Sequence, residues 1–146
     1  MMPESYTFDM AVDEIREEYI TNQLIAHNRA NKPTSQTQFE KAPIHIYIQN
    51  SEDETVGGLI GWTHRFQEWL EVTVIWVREQ DRGQGLGRQL MELVETEAVN
   101  RGCRFARLAT SDYQGPVFYE KLGYHLYGKL EDFPPGETGY YFWKEL

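Results

Sequence analysis

The chain has 146 residues, enough for one hydrophobic core. Its 40% hydrophobic and 14% aromatic content is that of an ordinary globular protein rather than a disordered one. With 23 acidic against 14 basic residues, the formal charge is −9. That balance argues against nucleic acid or an anionic membrane as a partner and is compatible with a cationic substrate.

The opening MMPESYTFDM lacks the charged start and apolar run of a signal peptide. No apolar run approaches the roughly 20 residues that cross a bilayer. The single cysteine, Cys103, excludes an internal disulfide and fits a reducing cytoplasm. Without a repeat or an obvious linker, residues 1–146 are expected to form a single domain.

In chain order, residues 6–9 (YTFD) read as a short strand. Val12, Ile15, Tyr19, Ile20 and Leu24 form an apolar stripe that predicts a helix from about residue 10 to 27, with Asp13 and Glu14 in its first turn. Residues 28–38, polar throughout, read as a loop. Ile44, Ile46 and Ile48 alternate with His45, Tyr47 and Gln49, the pattern of a half-buried strand. SEDET then turns the chain, VGGLIGWTHRF returns as a hairpin partner, and LEVTVIWV makes a third strand.

Leu86, Leu90, Leu93, Val94 and Ala98 recur at helical spacing, and Gly102 supplies a stop. RFARLAT reads as a strand and QGPVFYEKLG as a short helix, with Pro116 near its start and Gly123 past its end. YHLYGKL and GYYFWKEL close the chain as strands around EDFPPGET. The resulting order predicts an α/β (α+β) domain, a mixed and mostly antiparallel central sheet flanked by helices.

Between the third strand and the long helix lies EQDRGQGLGR, with Gly83, Gly85 and Gly87 on alternate positions and Arg82 and Arg88 beside them. Glycines there let consecutive N–H groups converge on one ligand, and the first N–H groups of a helix lack internal partners. An anion is favoured at such a place by the helix dipole as well. A P-loop would need a lysine that is missing, and a dinucleotide fingerprint would need glycine where Arg88 stands. A plain turn is the remaining alternative.

Arg82-Gly83-Gln84-Gly85-Leu86-Gly87 resembles the (R/Q)-x-x-G-x-(G/A) element of the GNAT acyltransferases, and FYEKLGY follows some thirty residues on. The resemblance covers residues 56–130. It implies acetyl-CoA as co-substrate, an amine as acceptor, and direct transfer in a ternary complex. It places the pyrophosphate on the backbone from Gln84 to Arg88 with Arg82 alongside, and the pantetheine arm on Trp76 and Val77, where the strand splays from its neighbour. An amide N–H at that point would polarise the thioester carbonyl.

The resemblance also assigns Tyr119 as the general acid that protonates the departing sulfur; packing of its ring in the core is the alternative. Glu71, six residues before Val77, stands where some relatives carry a base, or is an ordinary edge-strand charge. Asp112 replaces an asparagine that often contacts CoA and would equally suit a cap on the short helix.

His27, His45, His64 and His125 lack metal-ligand spacing, so no metal is expected. His64 is either a proton relay facing the acceptor or a plain sheet residue, and Cys103 reads as a packed thiol. Loops 28–38 and 131–139 are candidate acceptor-side lips. A noncatalytic CoA-binding module, another acyl group or an O-acceptor stay open at this point, as does a homodimer.

Overall fold

A computed structural model describes residues 5–31, 40–65, 67–112 and 115–146. Contacts divide the chain into two compact units, Met1–Gln36 and Thr37–Leu146. The first unit holds helix α1, Glu14–Asn31. It begins four residues later than the apolar spacing suggests because Asp13 is its cap, not a member of its first turn. The Asp13 carboxylate accepts from the backbone N–H groups of Ile15 and Arg16 at 3.0 and 3.1 Å, satisfying two of the orphan donors of the first turn. The helix continues through residues 28–31, expected as loop, while 32–38 lie outside the described residues. Residues 6–9 form no strand, and no residue of α1 is buried, the expected apolar stripe included.

The second unit is built on one sheet. Its strands are β1 (Lys41–Gln49), β2 (Thr55–His64), β3 (Trp69–Val77), β4 (Phe105–Ser111), β5 (His125–Glu131) and β6 (Thr138–Glu145), in the order β1-β2-β3-β4-β6-β5. Neighbours are antiparallel except β3 and β4, which run parallel. A parallel pair cannot be joined by a tight turn; helix α2 (Leu86–Asn100) makes the crossover. The shorter α3 (Pro116–Lys121) links β4 to β5.

Helix α2 lays Leu90, Met91, Val94 and Ala98 into a core shared with Ile44, Leu59, Leu70, Val72, Ala106, Leu108 and Phe142. Each of the larger side chains contributes about 1.5–3 kcal/mol by leaving water. Leu93, expected on that stripe, is 57% exposed; Met91 holds the inward position instead. The helix stops as the sequence predicts: Gly102 adopts φ +92°, and the N–H of Cys103 bonds the Ala98 carbonyl at 2.9 Å. Cys103 itself is buried, and burial pushes its thiol above the ordinary value, as suits a packed group rather than a nucleophile.

Side chains alternate between the faces of the sheet, so the strand residues opposite to those that meet α2 form a second face. Trp62, Trp69, Trp76 and Trp143 all belong to it by register.

Candidate active site

The parallel pairing of β3 and β4 runs only from Trp69–Phe105 to Val72–Leu108. One residue later the β2–β3 ladder carries a bulge. Gly61 faces Val72 and Ile60 faces Val74, which leaves Thr73 surplus, its hydroxyl donating to the Ile60 carbonyl at 3.0 Å. A bulge sharpens the local twist, and beyond it β3 turns away from β4. The separation opens a cleft of about 820 Å³, walled by Val72–Val77 on one side and by Leu108, Ala109, Phe118 and Tyr119 on the other.

Backbone polarity along this wall follows from one bond. The Arg78 N–H donates to the Val56 carbonyl at 2.8 Å, and antiparallel pairs alternate. Trp76 and Val74 therefore turn their peptide groups toward β2, while Ile75 and Val77 present theirs to the cleft. The Val77 carbonyl accepts from Arg82 Nε at 2.7 Å from that side. Of the two residues expected to hold the pantetheine arm, Val77 offers backbone; Trp76 offers its half-exposed side chain.

At the far end of the cleft stand Arg82, Gly83, Gly85, Leu86, Gly87 and Arg88. Gly83 and Gly85 have φ of +79° and +81°, and a Cβ on either would meet nothing within 4 Å. Backbone conformation, not space, is what demands glycine there. Gly85 caps α2 with no side-chain hydrogen bond, and the first turn carries no acidic residue. The leading N–H groups of the helix consequently open toward the cleft with the dipole behind them. Gln84 bonds the Asp81 carbonyl at 3.2 Å, and Asp81 is held by Arg78, so the loop is braced from outside. Arg88 pairs with Glu92 at 3.0 Å on the helix surface, 64% exposed and able to swing to an anion.

Tyr119 lies on α3 with its ring against Phe118, Tyr124 and Phe142. The residue is 5% exposed, and burial pushes its hydroxyl up to about 12. It therefore keeps its proton across the neutral range. Among the described residues the hydroxyl has no hydrogen-bond partner, yet the buried unpartnered side-chain oxygen of this fold is Thr110 Oγ1, so the Tyr119 hydroxyl still reaches the cleft it lines.

Glu71 sits at the closed end of the split, opposite Arg107 in the β3–β4 register. Its Oε2 accepts from His64 Nε2 at 2.9 Å and from Arg107 Nη2 at 3.2 Å, while Oε1 has no partner among the described residues. Partial burial pushes this carboxyl up, but the His64 hydrogen bond and the Arg107 charge outweigh it and hold Glu71 below the usual carboxylate range. An ionised carboxylate only accepts, so His64 Nε2 carries the proton in this pair. Sequence reasoning weighed Glu71 and His64 separately; the hairpin makes them one unit.

Asp112 does not cap α3, whose N-cap is Gly115 without a side-chain bond. It lies outside the residues that line the cleft. Its carboxylate accepts from the Thr138 N–H at 3.0 Å and from the Tyr140 hydroxyl, fastening the end of β4 to β6. Those bonds, led by the one from Tyr140, hold it below the ordinary carboxylate value. Turn 131–139 walls a separate hollow of about 400 Å³ with Ala109, Thr110, Ser111 and Tyr141, and Ala109 is common to that hollow and the cleft. Thr73, Ile75, Leu108, Ala109, Phe118 and Arg107 were not singled out from the sequence. Only Phe118 had a local signal, being inside FYEKLGY.

With this geometry in place, the relatives of the chain fall into line. The profile of the Acetyltransferase (GNAT) family matches residues 10–124. Blasticidin-S acetyltransferase of Streptomyces morookaense is 37% identical over 111 residues, spanning 73% of this chain and 80% of that protein. An acetyltransferase of Agrobacterium fabrum is 31% identical over 134 residues, 92% of this chain and 93% of the other. The crystal structure of an acetyltransferase from Bacillus cereus superposes with a TM-score of 0.84 at 32% identity, over 96% of this chain and 98% of that one. The chain belongs to the GNAT family of acetyltransferases, and it is an enzyme of that type.

Proposed function

We propose that residues 1–146 form one N-acetyltransferase domain that moves an acetyl group from acetyl-CoA directly to an amine, both substrates being bound at once. The observation that carries this reading is the cleft. One end is a helix N-terminus without a side-chain cap, flanked by Arg82 and Arg88, the middle is the edge of β3 that has parted from β4, and the wall bears the Tyr119 hydroxyl. A diphosphate, an amide-bearing arm and a thioester fit those three in sequence. A Bacillus anthracis protein of the same fold, 16% identical with a TM-score of 0.64, was crystallised with acetyl coenzyme A.

In the transfer, the amine nitrogen attacks the thioester carbonyl, the carbon–sulfur bond breaks, and the sulfur leaves as thiolate. A backbone N–H of β3 facing the cleft stabilises the oxygen as it gains charge. Tyr119 gives the sulfur its proton. Because burial raises the phenol to about 12 against about 8.5 for a thiol, complete transfer before the nitrogen loses its own proton is uphill by about 5 kcal/mol. The phenol thus acts as a hydrogen-bond donor that yields its proton as the nitrogen gives one up.

An alkyl amine arrives protonated, near pKa 10.4 for a lysine-like group. Glu71 Oε1, with its carboxylate kept ionised, accepts that proton directly or through water, and His64 holds the carboxylate in place. The acceptor is taken to be a small-molecule amine, in line with the Streptomyces relative named for blasticidin-S.

Thiol release with acetyl-CoA, measured against alkylamines, polyamines, aminoglycosides and peptides, tests the reading. CoA at 100 times Kd is expected to raise stability by about 2.7 kcal/mol. Turnover on at least one amine is expected, and stabilisation by CoA without turnover on any acceptor would reduce the protein to a binding module.

A further inference from the structure

Two charged side chains of the second unit are largely covered and take no part in lining the cleft. Glu95 of α2 and Lys144 of β6 keep 16% and 26% of their side-chain surface exposed, and Lys144 Nζ donates to Glu95 Oε2 at 3.0 Å. The other carboxylate oxygen, Oε1, accepts from the Tyr124 hydroxyl at 2.8 Å, and the Lys144 ammonium lies 5.5 Å over the Tyr124 ring. Tyr124 is buried; burial first, and then the Glu95 charge, push its hydroxyl above the ordinary tyrosine value, so it stays the donor in this bond. Replacing such a set by apolar side chains is often neutral or stabilising, so stability alone does not account for it.

Tyr124 also holds Tyr119. Its N–H donates to the Tyr119 carbonyl at 3.1 Å across the turn at Gly123 that ends α3, and the two rings meet edge to face at 6.1 Å. The other ring neighbours of Tyr119 are Phe118 and Phe142, which contribute packing without a directional bond. Direction reaches this ring through Tyr124 and, behind it, Glu95.

Helix α2 joins this clasp to the cleft. Its N-terminus stands at one end of the cleft, and Glu95 lies about 13 Å further along the same helix. We propose that Glu95 is a positioning residue: by holding the Tyr124 hydroxyl it registers the turn behind Tyr119 against the helix that takes the diphosphate, and so fixes the phenol relative to the thioester sulfur. The inference rests on the reading of Tyr119 as the acid. Glu95 is not among the residues that line the cleft, so its effect passes through Tyr124 and Tyr119. A displacement of about 1 Å at a reacting group lowers a rate by up to about 100-fold.

The experiment is a double-mutant cycle on kcat. Tyr124→Phe deletes one hydroxyl and is expected to lower kcat about tenfold, with the Kd for CoA, read by calorimetry, within about twofold of wild type. In a Tyr119→Phe background the same change is expected to lower kcat by less than about twofold, since no phenol is left to misplace. General loosening of the core would act alike in both backgrounds.

A second set separates position from stability. Glu95→Leu with Lys144→Met replaces the ion pair by apolar side chains; the melting temperature is expected to hold while kcat falls about tenfold. Glu95→Gln with Lys144→Met supplies an acceptor for the Tyr124 hydroxyl again and is expected to return kcat to within about threefold of wild type. The two sets are independent, so either decides the matter if a variant of the other fails to fold. Equal fold losses from Tyr124→Phe in both backgrounds, or wild-type kcat in the Glu95→Leu/Lys144→Met variant, would overturn the proposal and leave Tyr119 as the acid. Wild-type kcat in Tyr119→Phe alone would remove that acid, and the proposal with it.

Discussion

The two ends of the β3–β4 pair differ in what they present. From Trp69 to Val72 the strands are hydrogen-bonded, and the surface above them is made of side chains: Glu71 against Arg107, Trp69 against Phe105. From Thr73 onward they part, and the surface is largely peptide groups and glycine loop. On the proposed function the parted end holds the groups that are the same in every turnover, and main-chain donors suit that task because no substitution removes them. The joined end depends on individual side chains, so acceptor choice is where such a scaffold can vary without losing its donor site.

Several substitutions would break or sharpen this contrast. The largest effect is expected at Tyr119→Phe, with kcat falling about 100-fold and CoA affinity, read by calorimetry, staying within about twofold. A kcat near wild type would remove the phenol from the chemistry. The same variant bears on alkaline stability. Burial raises the folded value of this hydroxyl, so its contribution is complete below about pH 10 and lost as pH climbs toward about 12. Tyr119→Phe should abolish that part of the alkaline loss.

Next in size, Gly85→Ala forces a side chain into φ +81°, a strain of about 1–2 kcal/mol. If CoA binding selects this backbone, its affinity drops about fivefold to thirtyfold while kcat at saturation changes little, the reverse of the Tyr119 result. Glu71→Gln is expected to lower kcat/KM for an alkylamine by about tenfold.

The pH dependence separates Glu71 from the amine. Its carboxyl is held below the usual range by His64 and Arg107 against the opposing effect of burial, so it stays ionised as pH falls through 6. With the ammonium as the bound form, the acidic loss of activity should follow Glu71, lie below the usual carboxylate range and stay put when the acceptor is changed. A limb that moves with the acceptor's own pKa would mean that the free amine reacts and that Glu71 takes no proton from it. Smallest of all, Asp112→Asn should slightly loosen the β4–β6 junction and leave CoA affinity unchanged, since both carboxylate oxygens serve Thr138 and Tyr140.

The glycine loop at the parted end was readable from the sequence because it is local. Arg82 to Arg88 are contiguous, and glycine spacing, flanking charge and helix onset all occur within ten residues. The joined end was not. Glu71 meets Arg107 across 36 residues and His64 across a hairpin, and both meetings depend on strand register. Beyond them the bulge at Thr73 shifts the β2–β3 register and leaves no compositional mark. The helix start was misplaced for a similar reason, since apolar spacing carried the pattern past Asp13, whose short carboxylate does better as a cap than as a helical residue. Leu93 shows that a leucine at roughly the right spacing is outranked by a methionine nearer the centre of the buried arc.

Thr73 hides a change of parity. Counted by strict alternation from Leu70 and Val72, Val74 and Trp76 would face α2; the surplus residue puts Ile75 and Val77 there instead and leaves the indole on the opposite face. Excising Thr73 would keep Val72 with Gly61 and Val74 with Ile60, so every side chain would hold its face while the local twist that parts β3 from β4 relaxed. A one-residue deletion here should therefore spare the core and narrow the cleft, an outcome that shortening the SEDET turn by one residue would not reproduce.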